Sequence, residues 1–159
     1  MSKNIVLCGV GGQGTILASK LISAAAMAQG LPVKSAETIG MAQRGGSVFS
    51  HIRIGEDAVC PMIAKGTADI ILGFEPGETV RMLPYLRQGG LVVVSKRAVM
   101  PVTAALAGSN YNGEKMVTYL RSVVERLMVV DTDKACHELG SAKIVNLLLL
   151  GAAAASGEL

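Results

Sequence analysis

Residues 5–15 have the sequence IVLCGVGGQGT, and this stretch decides the fold. The four apolar residues at positions 5–8 predict a buried strand. The apolar periodicity between Thr15 and Gln29 predicts a helix directly after the glycines. A strand, a tight glycine-rich turn and a helix together form the opening unit of a nucleotide-binding fold.

The spacing of the glycines in this turn indicates what it does chemically. Gly9 allows the strand to end in a tight turn, Gly11 allows backbone N–H groups to approach an anion, and Gly14 allows the helix to pack close to the strand. Exposed N–H groups and the helix dipole favour a phosphate or a carboxylate at the start of a helix. The alternative is a strand-to-helix turn that binds nothing.

The composition is that of one globular domain. Half of the 159 residues are hydrophobic but only 3% are aromatic, so the core is built from aliphatic side chains, Met and Ala. The net charge of +3 is too small to indicate a nucleic-acid-binding protein. No internal repeat or interdomain linker is visible.

The cysteines and the termini indicate the compartment. Cys8, Cys60 and Cys136 are scattered and form no CxxC motif, which excludes a standard iron–sulfur or zinc ligand set within the chain and suits a reducing cytoplasm. Residues 2–4 lead directly into the first strand, so no signal peptide is expected. The most apolar segment, residues 147–155, is far shorter than the ~20 residues of a membrane-spanning helix.

Strand and helix patterns alternate along the whole chain. This alternation predicts an α/β three-layer sandwich with a Rossmann-like, mixed but mostly parallel sheet and helices on both faces. Strands are predicted at residues 33–36, 47–54, 69–74, 91–95 and 128–130. Further helices are predicted from Pro76 past Pro84 to the glycines at 89–90, around residues 117–127, from Asp131 or Thr132 to Gly140, and from Ser141 onward.

One β-hairpin is expected within this sheet. Residues 47–54 alternate strictly, with Val48, Ser50 and Ile52 on one face and His51 on the opposite, exposed face. The turn at residues 55–57 makes the following segment, 58–63, the expected hairpin partner. Pro61 places that partner at a sheet edge.

Few residues suggest catalysis. Glu37 follows the second strand, where dinucleotide-binding enzymes carry an acid that binds a ribose hydroxyl, although it also fits the polar loop that follows. His51 and His137 lie in no acid–base arrangement and are interpreted as structural or solvated. A free-standing NAD(P)- or flavin-binding enzyme is therefore one alternative for this chain.

Two further parts of the sequence, residues 43–47 and Lys20, are candidates for binding an anion. In residues 43–47, QRGGS, two glycines beside Arg44 allow close backbone approach and add a positive charge, which suits an anion or a partner's carboxylate. The other interpretation is a flexible loop. Lys20, in the first helix, reaches back toward a phosphate at Thr15 or is simply solvated.

Taken together, residues 9–15, 37–55 and 68–76 resemble the gamma-type subunits of 2-oxoacid:ferredoxin oxidoreductases, and within that family the indolepyruvate type. The resemblance implies one gamma-type domain over residues 1–159 that lacks a C-terminal helical extension beyond Gly157. It also implies a non-catalytic cytoplasmic subunit of a hetero-oligomer. Thiamine diphosphate and the iron–sulfur clusters are then carried by a large partner subunit. That complex oxidatively decarboxylates a 2-oxoacid, forms an acyl-CoA and passes two electrons to ferredoxin.

Site residues follow from the same resemblance. The residues expected to hold the phosphates of coenzyme A are Gly11, Gly12, Gln13, Gly14 and Thr15, with Lys20 assisting. The residues expected to face the catalytic partner are Met41, Gln43, Arg44, Gly45, Gly46 and Ser47. A further alternative is a pure interaction module whose glycine loop has lost its ligand. The apolar last helix is expected to promote self-association of the isolated chain.

Overall fold

The computed structural model describes residues 2–38, 45–100, 108, 110–141 and 144–159. Within these residues the strands are β1 (Lys3–Val10), β2 (Val33–Thr38), β3 (Ser47–Ile54), β4 (Ala68–Gly73), β5 (Leu86–Ser95) and β6 (Arg126–Val130). The helices are α1 (Thr15–Ala28), α2 (Pro76–Met82), α3 (Gly113–Val123), α4 (Thr132–Glu138) and α5 (Val145–Ala155).

Side-chain caps define where three of these helices begin. Glu75, Asn112 and Asp131 each accept a hydrogen bond from a backbone N–H of the first turn of α2, α3 and α4, respectively. Such bonds satisfy amides that have no acceptor within the helix. Local side chains therefore mark where these three helices begin.

The described strands form one mixed sheet in the order β2-β3-β1-β4-β5-β6. β1, β4, β5 and β6 are parallel, whereas β3 is antiparallel to both β1 and β2. β2 and β3 are consecutive in the chain and form a β-hairpin joined by residues 39–46. The predicted fold class, a mostly parallel sheet with one hairpin and helices on both faces, is confirmed.

The core lies on both faces of the central strand. Residues 5–8 of β1 have no exposed surface. Ile5 and Leu7 pack with α1 and α5 on one face, and Val6 and Cys8 pack with α2 and α3 on the other. A parallel strand covered on both faces is expected to be continuously apolar rather than alternating. Within the described residues, no helix combines the length and apolarity needed to cross a bilayer.

The expected pairing of residues 58–63 with β3 is wrong. β3 is hydrogen-bonded to β1 on one side and to β2 on the other, so it has no free edge for a further strand. Residues 58–63 instead cross the sheet face: the N–H of Ile63 donates to Nδ1 of His51 at 2.9 Å, and Arg53 Nη1 donates to the carbonyl of Cys60 at 3.0 Å.

The start of β5 was also predicted wrongly. The helix α2 ends at Met82, and a short 3-10 turn at Leu83–Tyr85 containing Pro84 leads directly into β5. The pairing of β4 with β5 shifts register between Ala68 and Ile70. The glycines at 89–90 therefore lie in an irregular part of the strand and do not end a helix. β6 likewise begins two residues earlier than predicted, and α5 begins at Val145, with residues 142–143 outside the described residues.

The expected exposure of His51 is wrong as well, because the segment 58–63 covers this face of β3. The side chain of His51 has no exposed surface and packs against Phe49 and Tyr85, with ring centroids at 5.6 and 5.2 Å. Its Nδ1 accepts a hydrogen bond from Ile63, so the neutral ring carries its proton on Nε2. Nε2 has no hydrogen-bond partner in the described part of the chain.

The end of β1 is packed too closely for any side chain. A Cβ at Gly9 would lie 2.7 Å from Oε1 of Gln13 and 2.8 Å from Cβ of Phe74. Contacts this short require the neighbouring atoms to move. Glycine at this position is therefore dictated by the approach of the turn to the end of β4.

We expect Gly9→Ala to lower the free energy of unfolding by about 1–3 kcal/mol, because the added methyl group overpacks the turn. Urea denaturation measures the effect. Gly151→Ala is the matched control: apart from its chain neighbours and the backbone of its own helix, nothing described lies within 4 Å of the position that its Cβ would take, and alanine in a helix interior stabilises by about 0.5–1 kcal/mol. Equal effects of the two substitutions would contradict the close approach at Gly9.

The stability of the chain is expected to fall as the pH drops below about 6.5. Burial lowers the pKa of His51 from its usual 6.5, so in this range the unfolded chain binds a proton that the folded chain does not. The loss reaches at most about 1.4 kcal/mol per pH unit for one proton. Urea denaturation at several pH values between 5 and 8 measures this slope.

His51→Asn is expected to destabilise the chain at every pH but to flatten this pH dependence. The exposed Gln88 provides the control, since Gln88→Asn removes no titratable group and is expected to leave the slope unchanged. An unchanged slope in His51→Asn would show that another group titrates.

Candidate functional site

The glycine-rich loop lies at the carboxyl end of the parallel strands. It joins β1 to α1, and β1 runs parallel to β4, whose last residues lead into the buried Phe74. Ligands in open α/β sheets bind in crevices at this end of the strands. The loop predicted from the sequence is therefore at the position where this class of fold places a ligand.

The side chain of Gln13 braces the loop from within. Its Oε1 accepts from the backbone N–H of Val10 at 2.8 Å, and its Nε2 donates to the carbonyl of Phe74 at 3.0 Å. The amide group of Gln13 is thus engaged with β1 and the end of β4. Gln13 shapes the binding loop by these two bonds.

The start of α1 has no side-chain cap. Gly14 is its N-cap residue, with a φ of 84° that favours glycine, and no acidic residue lies in the first turn. The first bond within the helix is from Ala18 N–H to the carbonyl of Gly14 at 3.0 Å. The N–H groups of residues 15–17 therefore have no acceptor within the helix and are available to an anion.

Two backbone amides of the glycine loop already have acceptors within the chain, and one of them is the N–H of Gln13, which donates to the carbonyl of Val10 at 3.2 Å. The N–H of Gly11 donates to the carbonyl of Gly46 at 2.9 Å. This bond joins the glycine loop to the segment just before β3. The predicted approach of an anion to the backbone at Gly11 is therefore limited to the neighbouring N–H groups, beginning with Gly12.

A cavity of ≈ 430 Å³ opens beside the loop. Its walls come from the glycine loop, the first turns of α1 and α5, and the segment after β5. The lining residues are Val10, Gly11, Gly12, Gln13, Gly14, Leu17, Arg97, Val99, Val145 and Asn146. Four of the six predicted cofactor-binding residues thus line one cavity. A larger cavity, of ≈ 500 Å³, lies at the opposite end of the sheet and includes none of them.

Thr15 and Lys20 do not line this cavity. Thr15 is 3% exposed, and its hydroxyl is buried without a hydrogen-bond partner in the described residues. Lys20 lies in a separate groove between α1 and β2 that it shares with Glu37. The helix pattern placed Lys20 on α1 correctly, but the side chain lies on the face directed toward β2.

Glu37 is displaced from the place that a dinucleotide-binding enzyme requires. The antiparallel strand β3 lies between β2, which carries Glu37, and β1. Two strand spacings separate β2 from β1 by about 10 Å, whereas in the dinucleotide-binding fold these strands are adjacent. Glu37 is therefore too far from the glycine loop to bind the ribose of a dinucleotide held there.

The residues predicted to face a partner are described only in part. Met41, Gln43 and Arg44 lie outside the described residues. Gly45 and Gly46 enter β3, and Ser47 Oγ donates to Oε2 of Glu78 at 2.5 Å. The end of this segment is therefore fastened to the start of α2.

Glu75 is a structural residue of the site that the sequence reasoning missed. It is 1% exposed, and its carboxylate accepts hydrogen bonds from Glu78 N–H at 2.9 Å, from Val99 N–H at 3.4 Å and from the hydroxyl of Tyr111. Burial and the bond to Glu75 raise the pKa of Tyr111 well above its usual value of 10. The signal in the sequence is Glu75 directly before Pro76, since an N-cap precedes a helix whose first residue is proline.

Arg97, Val99 and Asn146 were also missed as lining residues. Arg97 and Val99 follow β5 at the carboxyl end of the sheet, where ligand-binding residues are expected in this fold class. Asn146 is 5% exposed in the first turn of a helix that is otherwise almost entirely apolar. In the sequence, Asn146 is recognisable as a candidate site residue because it is a polar residue within an apolar helix.

Known proteins are similar to this chain in sequence and in fold. Residues 4–159 match the family model described as pyruvate ferredoxin/flavodoxin oxidoreductase. The indolepyruvate oxidoreductase subunit IorB of Archaeoglobus fulgidus is 39% identical over 152 residues, which cover 95% of this chain and 75% of that protein.

Two solved structures share the fold. One is the pyruvate oxidoreductase subunit PORC of Thermotoga maritima, with a TM-score of 0.66 and 21% identity, covering 99% of this chain and 78% of that one. The other is the 2-oxoglutarate:ferredoxin oxidoreductase of Magnetococcus marinus, solved with 2-oxoglutarate, coenzyme A and succinyl-CoA bound. It has a TM-score of 0.69 and 20% identity, over 96% of this chain and 24% of that one.

The family match covers nearly the whole chain, and the relative is similar over the same length. The resemblance inferred from residues 9–15, 37–55 and 68–76 is thereby confirmed. The chain belongs to the pyruvate ferredoxin/flavodoxin oxidoreductase family.

Proposed function

We propose that the chain is the small, non-catalytic subunit of a 2-oxoacid:ferredoxin oxidoreductase of the indolepyruvate type. The observation that carries this proposal is its 39% identity with the IorB subunit over 95% of the chain. The large partner subunit supplies the thiamine diphosphate and the iron–sulfur clusters. The complex converts a 2-oxoacid and coenzyme A into an acyl-CoA and CO2, and two electrons pass to ferredoxin.

Within that complex, the glycine loop of this chain holds phosphate groups of coenzyme A. Three observations support this part of the proposal: the uncapped N-terminus of α1, the cavity beside it, and the positively charged Arg97 on the cavity wall. The relevant donors are the N–H groups of Gly12 and of residues 14–17. Hydrogen bonds to an ionised oxygen are about twice as strong as those between neutral groups.

The size of the cavity limits what it holds. A volume of ≈ 430 Å³ falls in the range of about 300–1,000 Å³ that small-molecule sites occupy. The phosphates bind at the loop, and the thiol arm extends beyond this chain toward the partner. This subunit thus binds and orients coenzyme A, while bond breaking takes place in the partner.

The segment 41–47 is the surface that faces the large subunit. Its described end is fixed at two points, the bond from Gly11 N–H to the carbonyl of Gly46 and the bond from Ser47 to Glu78. Both points lie next to the glycine loop. A partner that contacts this segment therefore contacts the rim of the coenzyme A site.

A free-standing dinucleotide-binding enzyme is the second candidate function. The glycine spacing in residues 9–14 favours it. The position of Glu37, two strands away from β1, argues against it. Binding measurements with both ligands separate the two functions.

We expect coenzyme A, but not NAD, to bind the complex of this chain with its large subunit in isothermal titration. Gly12→Asp is expected to lower the affinity for coenzyme A by about ten-fold or more, because the new carboxylate lies where a phosphate binds. Gly66→Asp is the matched control, since Gly66 also has a positive φ and open space around it but lies away from the loop. Tight binding of NAD would favour the dehydrogenase instead.

Arg44→Ala is expected to weaken the assembly of the two subunits, because it removes a fixed positive charge from the partner-facing segment. Co-purification of a tagged large subunit measures this effect. Lys115→Ala, which removes an exposed charge from α3, is expected to assemble normally. Normal assembly of Arg44→Ala would contradict the assignment of this segment.

A further inference from the structure

Arg97 lines the same cavity as the glycine loop, and its backbone is hydrogen-bonded to a buried hydroxyl group. Its N–H donates to Oγ of Ser95 at 3.1 Å, and Ser95 Oγ is 2.7 Å from Oγ1 of Thr132. Both hydroxyl-bearing residues have no exposed surface. The origin of the Arg97 side chain is therefore fixed, whereas the guanidinium group remains half exposed.

Among the described residues, the guanidinium group of Arg97 has one weak ionic partner. Its Nε lies 3.6 Å from Oδ1 of Asp133, and the side chain of Asp133 is 65% exposed. Exposed pairs of this kind contribute little, because solvent screens them. Asp133 also lies in the first turn of α4, where the helix dipole favours a carboxylate without a cation nearby.

A second polar group faces the same cavity from α5. The side chain of Asn146 is nearly buried, and its Oδ1 accepts from the N–H of Leu147 at 2.9 Å. Its Nδ2 lies 3.3 Å from the position that a Cβ of Gly14 would occupy. Nδ2 donates to no acceptor in the described residues, so it is available to a ligand at the helix start.

Building on the coenzyme A function proposed above, we propose that Arg97 exchanges Asp133 for the diphosphate of the ligand and is the residue that makes the site specific for phosphate. The N–H groups at the start of α1 bind one phosphate, and the guanidinium group binds the other. Asn146 Nδ2 donates to the phosphate nearest to Gly14. Asp133 is the competitor that occupies Arg97 when the ligand is absent.

The lining of the cavity supports a two-point anion site. Among the described lining residues, Arg97 supplies the positive charge, and no acidic side chain is present. The planar guanidinium group binds two phosphate oxygens at once, which the single ammonium of a lysine does not do. A carboxylate ligand would engage the helix N-terminus or Arg97, whereas a diphosphate engages both.

Two substitutions with opposite expected effects test this inference. In the complex with the large subunit, Arg97→Gln is expected to lower the affinity for coenzyme A by about 10- to 100-fold. Asp133→Asn is expected to raise this affinity by roughly two- to five-fold, because the competing carboxylate is lost. Lys65→Gln removes an exposed charge from the turn before β4, away from the cavity, and is expected to leave the affinity unchanged. Isothermal titration at a fixed low salt concentration measures all three.

Ligand fragments identify the group that Arg97 recognises. Dephospho-coenzyme A keeps the diphosphate and is expected to lose affinity in Arg97→Gln as coenzyme A does. Pantetheine has no phosphate and is expected to bind wild type and Arg97→Gln equally. If the effect of Arg97→Gln is absent with dephospho-coenzyme A, Arg97 recognises the 3′-phosphate and the diphosphate assignment is overturned.

Failure of this inference is distinguishable from failure of the proposed function. Equal affinity of wild type and Arg97→Gln for coenzyme A overturns the role of Arg97 but leaves the coenzyme A site in place. If coenzyme A does not bind the wild-type complex, the proposed ligand is wrong. Titration with inorganic diphosphate then tests Arg97 by itself: weaker binding in Arg97→Gln supports the two-point anion site, and equal or absent binding overturns it.

Discussion

The double hydrogen bond of the Gln13 side chain is the constraint on which the rest of this site depends. By joining Val10 N–H to the carbonyl of Phe74, it fixes the glycine loop between the ends of the neighbouring strands β1 and β4. The loop in turn determines where α1 begins and where its free N–H groups point. It also brings Gly11 to the carbonyl of Gly46, so that the entry to β3 is positioned by the same brace.

Local pattern was sufficient for the parts of the fold that are determined locally. The run at residues 5–8, the helix after Thr15 and the cap at Asp131 are each specified by side chains within a few positions of one another. The pairing of β3 was not predictable in this way. Alternation within residues 47–54 shows that a strand forms, but not which strands occupy its two edges, and the exposure of His51 depends on that neighbourhood.

In the candidate site, too, the locally determined residues were predictable from the sequence and those brought together by long-range packing were not. The glycine loop is contiguous in sequence and was identified from its spacing, whereas Arg97 and Asn146 reach the cavity from β5 and α5, far along the chain. No periodicity within either segment indicates that they meet. Lys20 is the opposite case. It is close enough to Thr15 in the sequence to contact a phosphate there, but it lies on the side of α1 that faces β2 and shares a groove with Glu37. Direction and long-range contact are properties of the packed sheet.

The position of β1 between β3 and β4 also has a consequence for synthesis on the ribosome. Residues 5–8 of β1 have no exposed surface in the folded chain, yet both strands that flank β1 lie downstream in the sequence, with β4 ending at Gly73. At translation rates of about 5–20 residues per second, this strand waits on the order of several seconds before it is paired on both sides. During that interval its apolar residues are shielded only by the ribosome exit tunnel, by α1 or by a chaperone.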